Sequence, residues 1–285
     1  MTEQHPGQRV TQERNQAAHQ SLNRRLPADQ PLVPDLTAGS AVKIIGLGGV
    51  GGIVARYGAV FLASLNRDLR LVLIDGDSFE PGNASRMFFL DHGNKAAVVQ
   101  QDLLEYLADA PLSVVAIQEY VTRENLDRLI QEGDTVVLAV DNHATRKLVS
   151  DFCSRERQNV CLISGGNDGV GRDAAGREQR GTYGNCQIHV RRDGQDLTPS
   201  LTHLHPEIAA PHDHLPTDQD CIEQAVSVPQ ILFANLTAAA TILNSLWLHL
   251  CGALHYGEIC FDVADGLMRP LPLIRHQKSA SCSAR

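Results

Sequence analysis

A cluster of glycines that follows an apolar stretch limits most strongly what this chain can fold into. Residues 41–47 predict a buried strand, and the glycines come in the order Gly46-Leu-Gly48-Gly-Val-Gly51. In such a turn, backbone N–H groups at the start of a helix can approach a phosphate. Apolar residues then recur at helical spacing, at Ile53, Val54, Tyr57, Val60, Phe61 and Leu65. The sequence therefore predicts a strand, a nucleotide-binding turn and a helix.

Strands and helices alternate through the following hundred residues. Alternation at this spacing requires right-handed crossovers and a mostly parallel sheet. We therefore predict an α/β, Rossmann-like fold with helices on both faces of the sheet, plus a C-terminal antiparallel extension. The predicted strands cover 69–74, 112–117, 135–140 and 160–164, and the predicted helices cover 95–107, 126–130 and 143–152.

The last third departs from this alternation. Residues 165–180 are rich in glycine and charge and predict a loop, and residues 182–191 predict an antiparallel strand. A connection rich in Pro, Asp and His follows at 193–220, and 258–263 predicts a final strand. We expect a flexible arm at 1–38 and a nucleotide-binding core at 39–165. A C-terminal part of the same domain should follow at 166–275, with a tail at 276–285.

Composition excludes several classes of protein. The chain has 25 Lys and Arg against 33 Asp and Glu, and its net charge of −8 gives no general attraction to nucleic acid or to anionic membranes. Its seven cysteines include no C-x-x-C pair, which argues against a disulfide scaffold and a paired-cysteine zinc site. The polar N-terminal residues lack the apolar core of a signal peptide, so we expect a cytoplasmic protein.

A long stretch without formal charge, residues 224–257, has the length of a membrane span. Its polar side chains, among them Asn235, Asn244 and His249, would be costly in hydrocarbon. We therefore expect a helix buried in the core or in a subunit interface. A homodimer that uses residues 230–250 is the predicted assembly.

Charged and polar residues follow the second predicted strand. Asp75 ends that strand, where a carboxylate can accept hydrogen bonds from ribose hydroxyls. Asp77, Asn83, Arg86 and Lys95 come next. An Arg and a Lys suit the charge of a triphosphate better than that of a dinucleotide.

A second acidic position follows the strand predicted at 135–140. Asp141 stands at its carboxyl end, and a carboxylate there, together with phosphate oxygens, can hold Mg²⁺. The alternative interpretation of Asp141 and Asn142 is an N-cap of the next helix.

These motifs together resemble those of the ThiF and MoeB adenylyltransferases, whose fold is shared with ubiquitin-activating enzymes. The resemblance is strong over residues 40–165 and looser over 221–250, and it looks like the ThiF-type protein of the PRTRC gene cassettes. It implies that Asp75 binds ribose, that Asn83 and Arg86 bind phosphates, that Lys95 binds the triphosphate and that Asp141 holds Mg²⁺. The motifs that carry it are Gly46–Gly51, Ile74-Asp-Gly-Asp77, Asn83-Ala-Ser-Arg86, Lys95 and Asp141-Asn142-His-Ala-Thr-Arg146.

The reaction implied is ATP-dependent adenylation of the C-terminal glycine carboxylate of a ubiquitin-like, β-grasp protein. ThiF-like relatives carry a transfer cysteine in a loop that corresponds to Cys221, with Cys186 as a second candidate and a conjugating enzyme as a further partner. Structural zinc is not expected, because the paired cysteines of relatives are absent. Four histidines offer an alternative zinc site, at 203, 205, 212 and 214.

Two other functions compete with this interpretation. An NAD-dependent oxidoreductase would leave Arg86, Lys95 and Asp141 without a common task. A non-catalytic, nucleotide-sensing interaction module could use the His-rich connection and the N-terminal arm for docking.

Overall fold

The computed structural model describes residues 30–272, except 38, 81–82, 85–86, 88, 90, 173–175, 177 and 219–229. Residues 30–37 contain no helix or strand, and Leu36 near their end is buried. The rest of the predicted arm and the predicted tail lie outside the described residues.

Thirteen strands and seven helices are found in the described residues. The strands are β1 Ala41–Ile45, β2 Leu69–Ile74, β3 Ser78–Phe79, β4 Gly93–Asn94, β5 Leu112–Ile117, β6 Thr135–Leu138, β7 Val160–Asn167, β8 Val170–Arg172, β9 Glu178–Arg180, β10 Tyr183–Arg192, β11 Gln195–Asp196, β12 Tyr256–Asp262 and β13 Leu267–Pro272. The helices are α1 Gly51–Ser64, α2 Lys95–Tyr106, α3 Leu126–Leu129, α4 His143–Glu156, α5 Leu201–Leu204, α6 Pro206–Ala209 and α7 Leu232–Leu250, with a 3₁₀ turn at Pro216–Asp218.

One large sheet organises the molecule, in the order β13-β12-β10-β7-β6-β1-β2-β5. Strands β7, β6, β1, β2 and β5 are parallel, and β10, β12 and β13 continue the sheet in antiparallel fashion. The strand order reverses at β1, since β2 and β5 lie on one side of it and β6 and β7 on the other. Ligands of open α/β sheets bind at such a switch point, beyond the carboxyl ends of the strands.

Helices cover both faces of the sheet. Side chains of α1, α2 and α7 pack in one apolar cluster, and those of α3, α4, α5 and α6 pack in a second cluster on the opposite face. Alternate residues of β1 explain this division, because Ile44 belongs to the first cluster and Ile45 to the second. The predicted fold class, Rossmann-like α/β with an antiparallel extension, is confirmed.

Two of the predicted elements are wrong in extent. Strand β12 is not the last, because β13 pairs with it through a turn that includes Gly266 in the left-handed region. The sequence does not predict β13 because it contains Pro270 and Pro272, and proline is unusual in strands other than edge strands. The loop predicted at 165–180 contains the end of β7 and the small hairpin of β8 and β9.

The helix predicted after the glycine turn is α1, but two of the apolar residues that indicate it, Tyr57 and Val60, are exposed. Small residues, Ala55, Gly58 and Ala59, occupy the buried side instead, so α7 can approach α1 closely. A Cβ at Gly58 would lie 3.7 Å from a Leu243 methyl carbon.

Residues 232–250 of the uncharged stretch form α7, and one side of this helix is buried against α1, β7 and β10. Within the ranges that the structure describes, no helix is both long enough and apolar enough to cross a bilayer. The opposite side of α7 exposes Phe233, Leu236 and Trp247.

Candidate functional site

The glycine turn between β1 and α1 requires glycine at its two ends. Gly46 has a φ of +86°, and its N–H donates to the Ile74 carbonyl oxygen at 2.9 Å. A Cβ at Gly51 would lie only 1.8 Å from the Gly46 carbonyl oxygen. Any larger residue would therefore open the turn that the sequence predicts as the phosphate-binding element.

The middle of the turn shows a different requirement. Among the described residues, a Cβ at Gly48 would meet only the Met87 methyl carbon, at an ordinary 3.5 Å. A Cβ at Gly49 would lie 2.3 Å from Nδ2 of Asn235, in the first turn of α7. Gly49 was not a predicted site residue, and it lets α7 pack directly on the turn.

Asp75 joins the end of β2 to the glycine turn. Its Oδ2 accepts the Leu47 N–H at 2.6 Å and its Oδ1 accepts the Asp77 N–H at 2.8 Å. Burial raises the pKa of Asp75, and the nearby ammonium of Lys95 opposes that increase. This carboxylate lies at the carboxyl edge of the sheet, where the sequence predicts a ribose-binding residue.

Asp77 and Lys95 form an ion pair beside Asp75. Lys95 is the first residue of α2, and its Nζ lies 3.0 Å from Oδ2 of Asp77. The Tyr120 hydroxyl donates to Oδ1 of Asp77, and burial together with this carboxylate raises the pKa of Tyr120. Asp77 thus holds the mostly buried Lys95 ammonium close to the glycine turn.

Asn94 fixes this arrangement from the start of α2. Its Oδ1 accepts the N–H groups of Ala96 and Ala97 at 2.9 and 3.2 Å, which caps the helix. Its Nδ2 donates to the carbonyl oxygens of Asp75 and Asp77 at 2.8 and 3.1 Å. Sequence reasoning missed Asn94 and Tyr120. An Asn before a helix-opening Lys is an N-cap signal for the first, and only tertiary packing reveals the second.

The predicted phosphate ligands Asn83 and Arg86 follow β3. Asn83 accepts the Glu80 N–H on its side-chain oxygen at 3.2 Å and forms a local turn. Arg86 lies outside the described residues.

Asp141 and Asn142 follow β6, next to β1 in the sheet. Asn142 is the N-cap of α4, because its Oδ1 accepts the Thr145 N–H at 2.7 Å. Asp141 is exposed and makes no hydrogen bond or ion pair with any residue that the structure describes. An unpaired carboxylate at this edge fits the oxygen ligands that Mg²⁺ prefers.

The His-rich connection is fastened to the start of α4. The Asp213 carboxylate accepts the N–H groups of His143 and Ala144 at 2.7 and 2.8 Å, and Asn142 donates to the His214 carbonyl oxygen at 2.6 Å. A carboxylate at a helix N-terminus is stabilised by the helix dipole. The connection therefore borders the candidate site next to Asp141.

The four histidines of this connection do not come together. His203, His212 and His214 are exposed, whereas His205 lies between Glu207 and Glu258, with 2.8 Å to each carboxylate. Burial alone would lower the pKa of His205, but its bonds to both carboxylates outweigh burial and raise it. In the part of the chain that the structure describes, no three His, Cys, Asp or Glu side chains form a group that could hold a metal ion.

The cysteines inside the described ranges are poor nucleophiles. Burial raises the pKa of Cys153 and of Cys186 to about 12, and it also raises the pKa of Cys161, Cys251 and Cys260. Cys186 is fully buried, which argues against its predicted role as an acyl acceptor. Cys221 lies outside the described residues.

This chain is similar to a family of proteins and to individual curated sequences. The model described as ThiF family matches residues 35–260. Protein HesA of Leptolyngbya boryana is 27% identical over 130 residues, which cover 45% of this chain and 44% of HesA. Adenylyltransferase and sulfurtransferase MOCS3-1 of Zea mays is 32% identical over 132 residues, covering 44% of this chain and 26% of that protein. The matches thus span half or less of the length of these relatives.

Solved structures share the fold at lower identity. E. coli MccB with ATP superposes with a TM-score of 0.58 and 18% identity, covering 90% of this chain and 67% of MccB. MccB in complex with N-formylated MccA gives a TM-score of 0.59 and 20% identity, covering 86% of this chain and 67% of that chain.

Proposed function

The chain belongs to the ThiF family, and from this premise we propose that it is an ATP-dependent adenylyltransferase that activates a terminal carboxylate. The observation that carries this proposal is the hydrogen-bonded network of Asp75, Asp77 and Lys95 against the glycine turn. The network lies at the switch point of the sheet, where nucleotides bind in open α/β folds. MOCS3-1 of Zea mays is named an adenylyltransferase, which supports the same activity here.

The binding roles follow from the charges at this edge. Asp75 accepts hydrogen bonds from the ribose hydroxyls, because each of its oxygens keeps a lone pair that no backbone N–H uses. The glycine turn and the start of α1 face the phosphates. Lys95 and Arg86 neutralise the triphosphate, and Asn83 and Asn142 line it. Asp141 would hold Mg²⁺, which when bound offsets charge on the phosphate oxygens.

The chemical step needs no general base, because a carboxylate is already ionised at neutral pH. One carboxylate oxygen attacks the α-phosphorus, and the bond from that phosphorus to the pyrophosphate oxygen breaks. The electron pair leaves on pyrophosphate, where Lys95 and Arg86 stabilise the growing negative charge. Alignment and charge neutralisation therefore supply the catalysis.

We propose that the carboxylate belongs to the C-terminal glycine of a ubiquitin-like, β-grasp protein. For a following transfer, the Cys221 thiolate attacks the acyl adenylate, AMP leaves and a thioester forms. The raised pKa values of the described cysteines favour Cys221 over the described ones as the acceptor. A conjugating enzyme is then the partner that receives the thioester, and a member of the PRTRC gene cassettes is the narrower identity proposed.

A second copy of the chain is the proposed partner of the exposed side of α7. The exposed residues Phe233, Leu236 and Trp247 recur along one side of this helix, and Tyr57 and Val60 are exposed on the adjacent helix α1. An apolar surface of this kind favours association over contact with water.

ATP–pyrophosphate exchange tests the proposed activity. The wild-type protein is incubated with ATP, labelled pyrophosphate and a candidate β-grasp protein, in parallel with Arg86→Ala and Asp141→Ala. Loss of one charge-stabilising group is expected to slow exchange by about 10²-fold to 10³-fold. Arg155→Ala is the matched control, because Arg155 is an exposed residue in the last turn of α4.

Two outcomes would contradict the proposal. Near-normal exchange in both variants would refute the assigned roles. Binding of NADH without any exchange would favour the oxidoreductase alternative instead.

A further inference from the structure

Arg146 carries a positive charge into the interior beside the candidate site. Its side chain turns back toward the start of α4, where Nε donates to the Val140 carbonyl oxygen at 3.0 Å. Nη2 reaches the Gly165 carbonyl oxygen at a long 3.5 Å. Gly166 leaves room for the guanidinium, since a Cβ there would lie 2.7 Å from Nη2. The guanidinium therefore lies across the carboxyl ends of β6 and β7.

This guanidinium has no counter-ion among the described residues, because none of their carboxylate oxygens lies within 4.0 Å of it. The acidic side chains near enough to affect its pKa either bind other groups or face solvent. Asp213 accepts two N–H groups of α4, Glu207 binds His205, and Asp141 is exposed. Arg146 itself is only 8% exposed, yet it stays cationic at physiological pH.

A buried charge without a partner is costly, so an incoming anion is favoured. The two N–H groups of Nη1 have no acceptor among the described residues, and Arg146 is the residue type that binds carboxylates through two parallel hydrogen bonds. A carboxylate ligand would thus relieve an electrostatic penalty that the free protein carries.

The position of Arg146 separates it from the ribose end of the site. Val140, whose carbonyl oxygen binds Arg146, packs on the glycine turn, because a Cβ at Gly46 would lie 2.8 Å from Cγ1 of Val140. Asp75 lies at the end of β2, on the far side of β1 from β6 and β7. With strands about 4.8 Å apart, Arg146 and Asp75 are separated by roughly 12 Å across the sheet edge. An anion held by Arg146 would therefore lie beyond the ribose, toward the carboxyl ends of β6 and β7.

Resting on the proposed adenylyltransferase function, we propose that Arg146 binds the carboxylate to be adenylated, the terminal α-carboxylate of a peptide tail. Arg146 holds one oxygen while the other attacks the α-phosphorus and pyrophosphate leaves with the electron pair. Arg146 gives and takes no proton. A C-terminal amide has no charge to pair with the guanidinium, so Arg146 also selects carboxylates against amides.

Calorimetry with small probes tests this assignment. The probes are N-acetylglycylglycine and its C-terminal amide, each titrated to about 20 mM into the 285-residue protein saturated with α,β-methylene-ATP. The variants are Arg146→Lys, which keeps the charge but loses the planar fork, and Arg157→Lys as the matched control. Arg157 also donates to a carbonyl oxygen, that of Ile130, but it is paired with Asp127.

The expected result is that the wild-type protein and Arg157→Lys bind the carboxylate and reject the amide. Arg146→Lys should bind the carboxylate about tenfold more weakly or worse, while its affinity for the ATP analogue is unchanged. Equal binding of both probes to the wild type, or no binding of the carboxylate, would overturn the assignment. Undiminished binding to a folded Arg146→Lys would overturn it as well.

A crystal structure of the wild-type protein with N-acetylglycylglycine covers the case in which Arg146→Lys does not fold. The carboxylate should lie within hydrogen-bonding distance of the Arg146 guanidinium, and a carboxylate bound anywhere else would refute the proposal. The outcome is distinguishable from failure of the proposed function. If the carboxylate binds at Arg146 but the exchange assay shows no turnover of ATP, the assignment of Arg146 stands and the adenylyltransferase function is refuted.

Discussion

At the scale of single residues, Asp75 combines a structural and a ligand-binding task. Both of its oxygens accept backbone N–H groups, so the same carboxylate that would meet the ribose also holds Leu47 in the glycine turn. A change at this position therefore affects the shape of the site as well as its chemistry.

Asp75→Asn tests this double task. The amide nitrogen of Asn would face a backbone N–H, and one buried donor would lose its acceptor. We expect ATP affinity, measured by calorimetry, to fall by about tenfold or more, and the free energy of unfolding to fall by about 1–3 kcal/mol. Asp102→Asn is the control, because Asp102 pairs with Arg56 in the third turn of α2. Wild-type ATP affinity in Asp75→Asn would contradict the expectation.

His205 makes the stability of the protein depend on pH. Because its two carboxylate partners raise the pKa of His205 in the folded state, its contribution is complete below the unfolded value of about 6.5. That contribution is lost as pH rises through the higher folded pKa. In urea unfolding, His205→Gln should therefore lose more stability relative to wild type at about pH 6 than at about pH 8.5.

The control for this measurement is His203→Gln, at an exposed histidine of the same connection. It should change stability little at either pH. An equal loss for His205→Gln at both pH values would show that His205 contributes through packing alone.

At the scale of secondary-structure elements, residues 213 and 214, between α6 and the 3₁₀ turn, are held by the first turn of α4. The Asp213 carboxylate stands where the helix dipole is positive and accepts two otherwise unpaired N–H groups. This contact joins a stretch without helix or strand, residues 210–215, to α4.

Removal of the Asp213 carboxylate should destabilise both the first turn of α4 and the segment around Asp213. Asp213→Ala is expected to lower the free energy of unfolding by about 1 kcal/mol and to speed amide hydrogen exchange at His143 and Ala144. Asp218→Ala, an exposed acidic residue of the same connection, should leave that exchange unchanged. Unaltered exchange in Asp213→Ala would mean that other contacts hold the connection.

The sequence predicts the parallel half of the fold well, because short apolar runs mark its strands and a 3.6-residue apolar period marks the helix after the glycine turn. It predicts less of the antiparallel half, where Pro270 conceals a strand and the contacts of His205 join residues far apart in sequence. The same division applies to the site. Asp75, Asp77 and Lys95 belong to a local motif, whereas Tyr120 and Asp213 reach it only through tertiary packing.

At the scale of the whole molecule, the exposed side of α7 predicts self-association. Phe233→Asp would place a charge in the proposed interface, and burial of an unpaired charge is costly. We expect the wild type to have the mass of a dimer in light scattering and the variant to shift to the monomer mass. Tyr106→Asp, at an exposed aromatic residue of α2, is the control and should remain dimeric.

Circular dichroism spectra of both variants should match that of the wild type, which shows that each variant is folded. A monomeric wild type, or a dimeric and folded Phe233→Asp, would contradict an interface on α7.

The prolines of β13, an edge strand of the described sheet, affect how two copies of the chain can associate. Pro270 and Pro272 of β13 lack the N–H groups with which a neighbouring backbone would have to bond. Backbone hydrogen bonding between the β13 strands of two molecules would therefore be interrupted at both positions. Sheet-to-sheet association of two copies along β13 is therefore disfavoured, whereas the exposed side of α7 stays available for contact between helices.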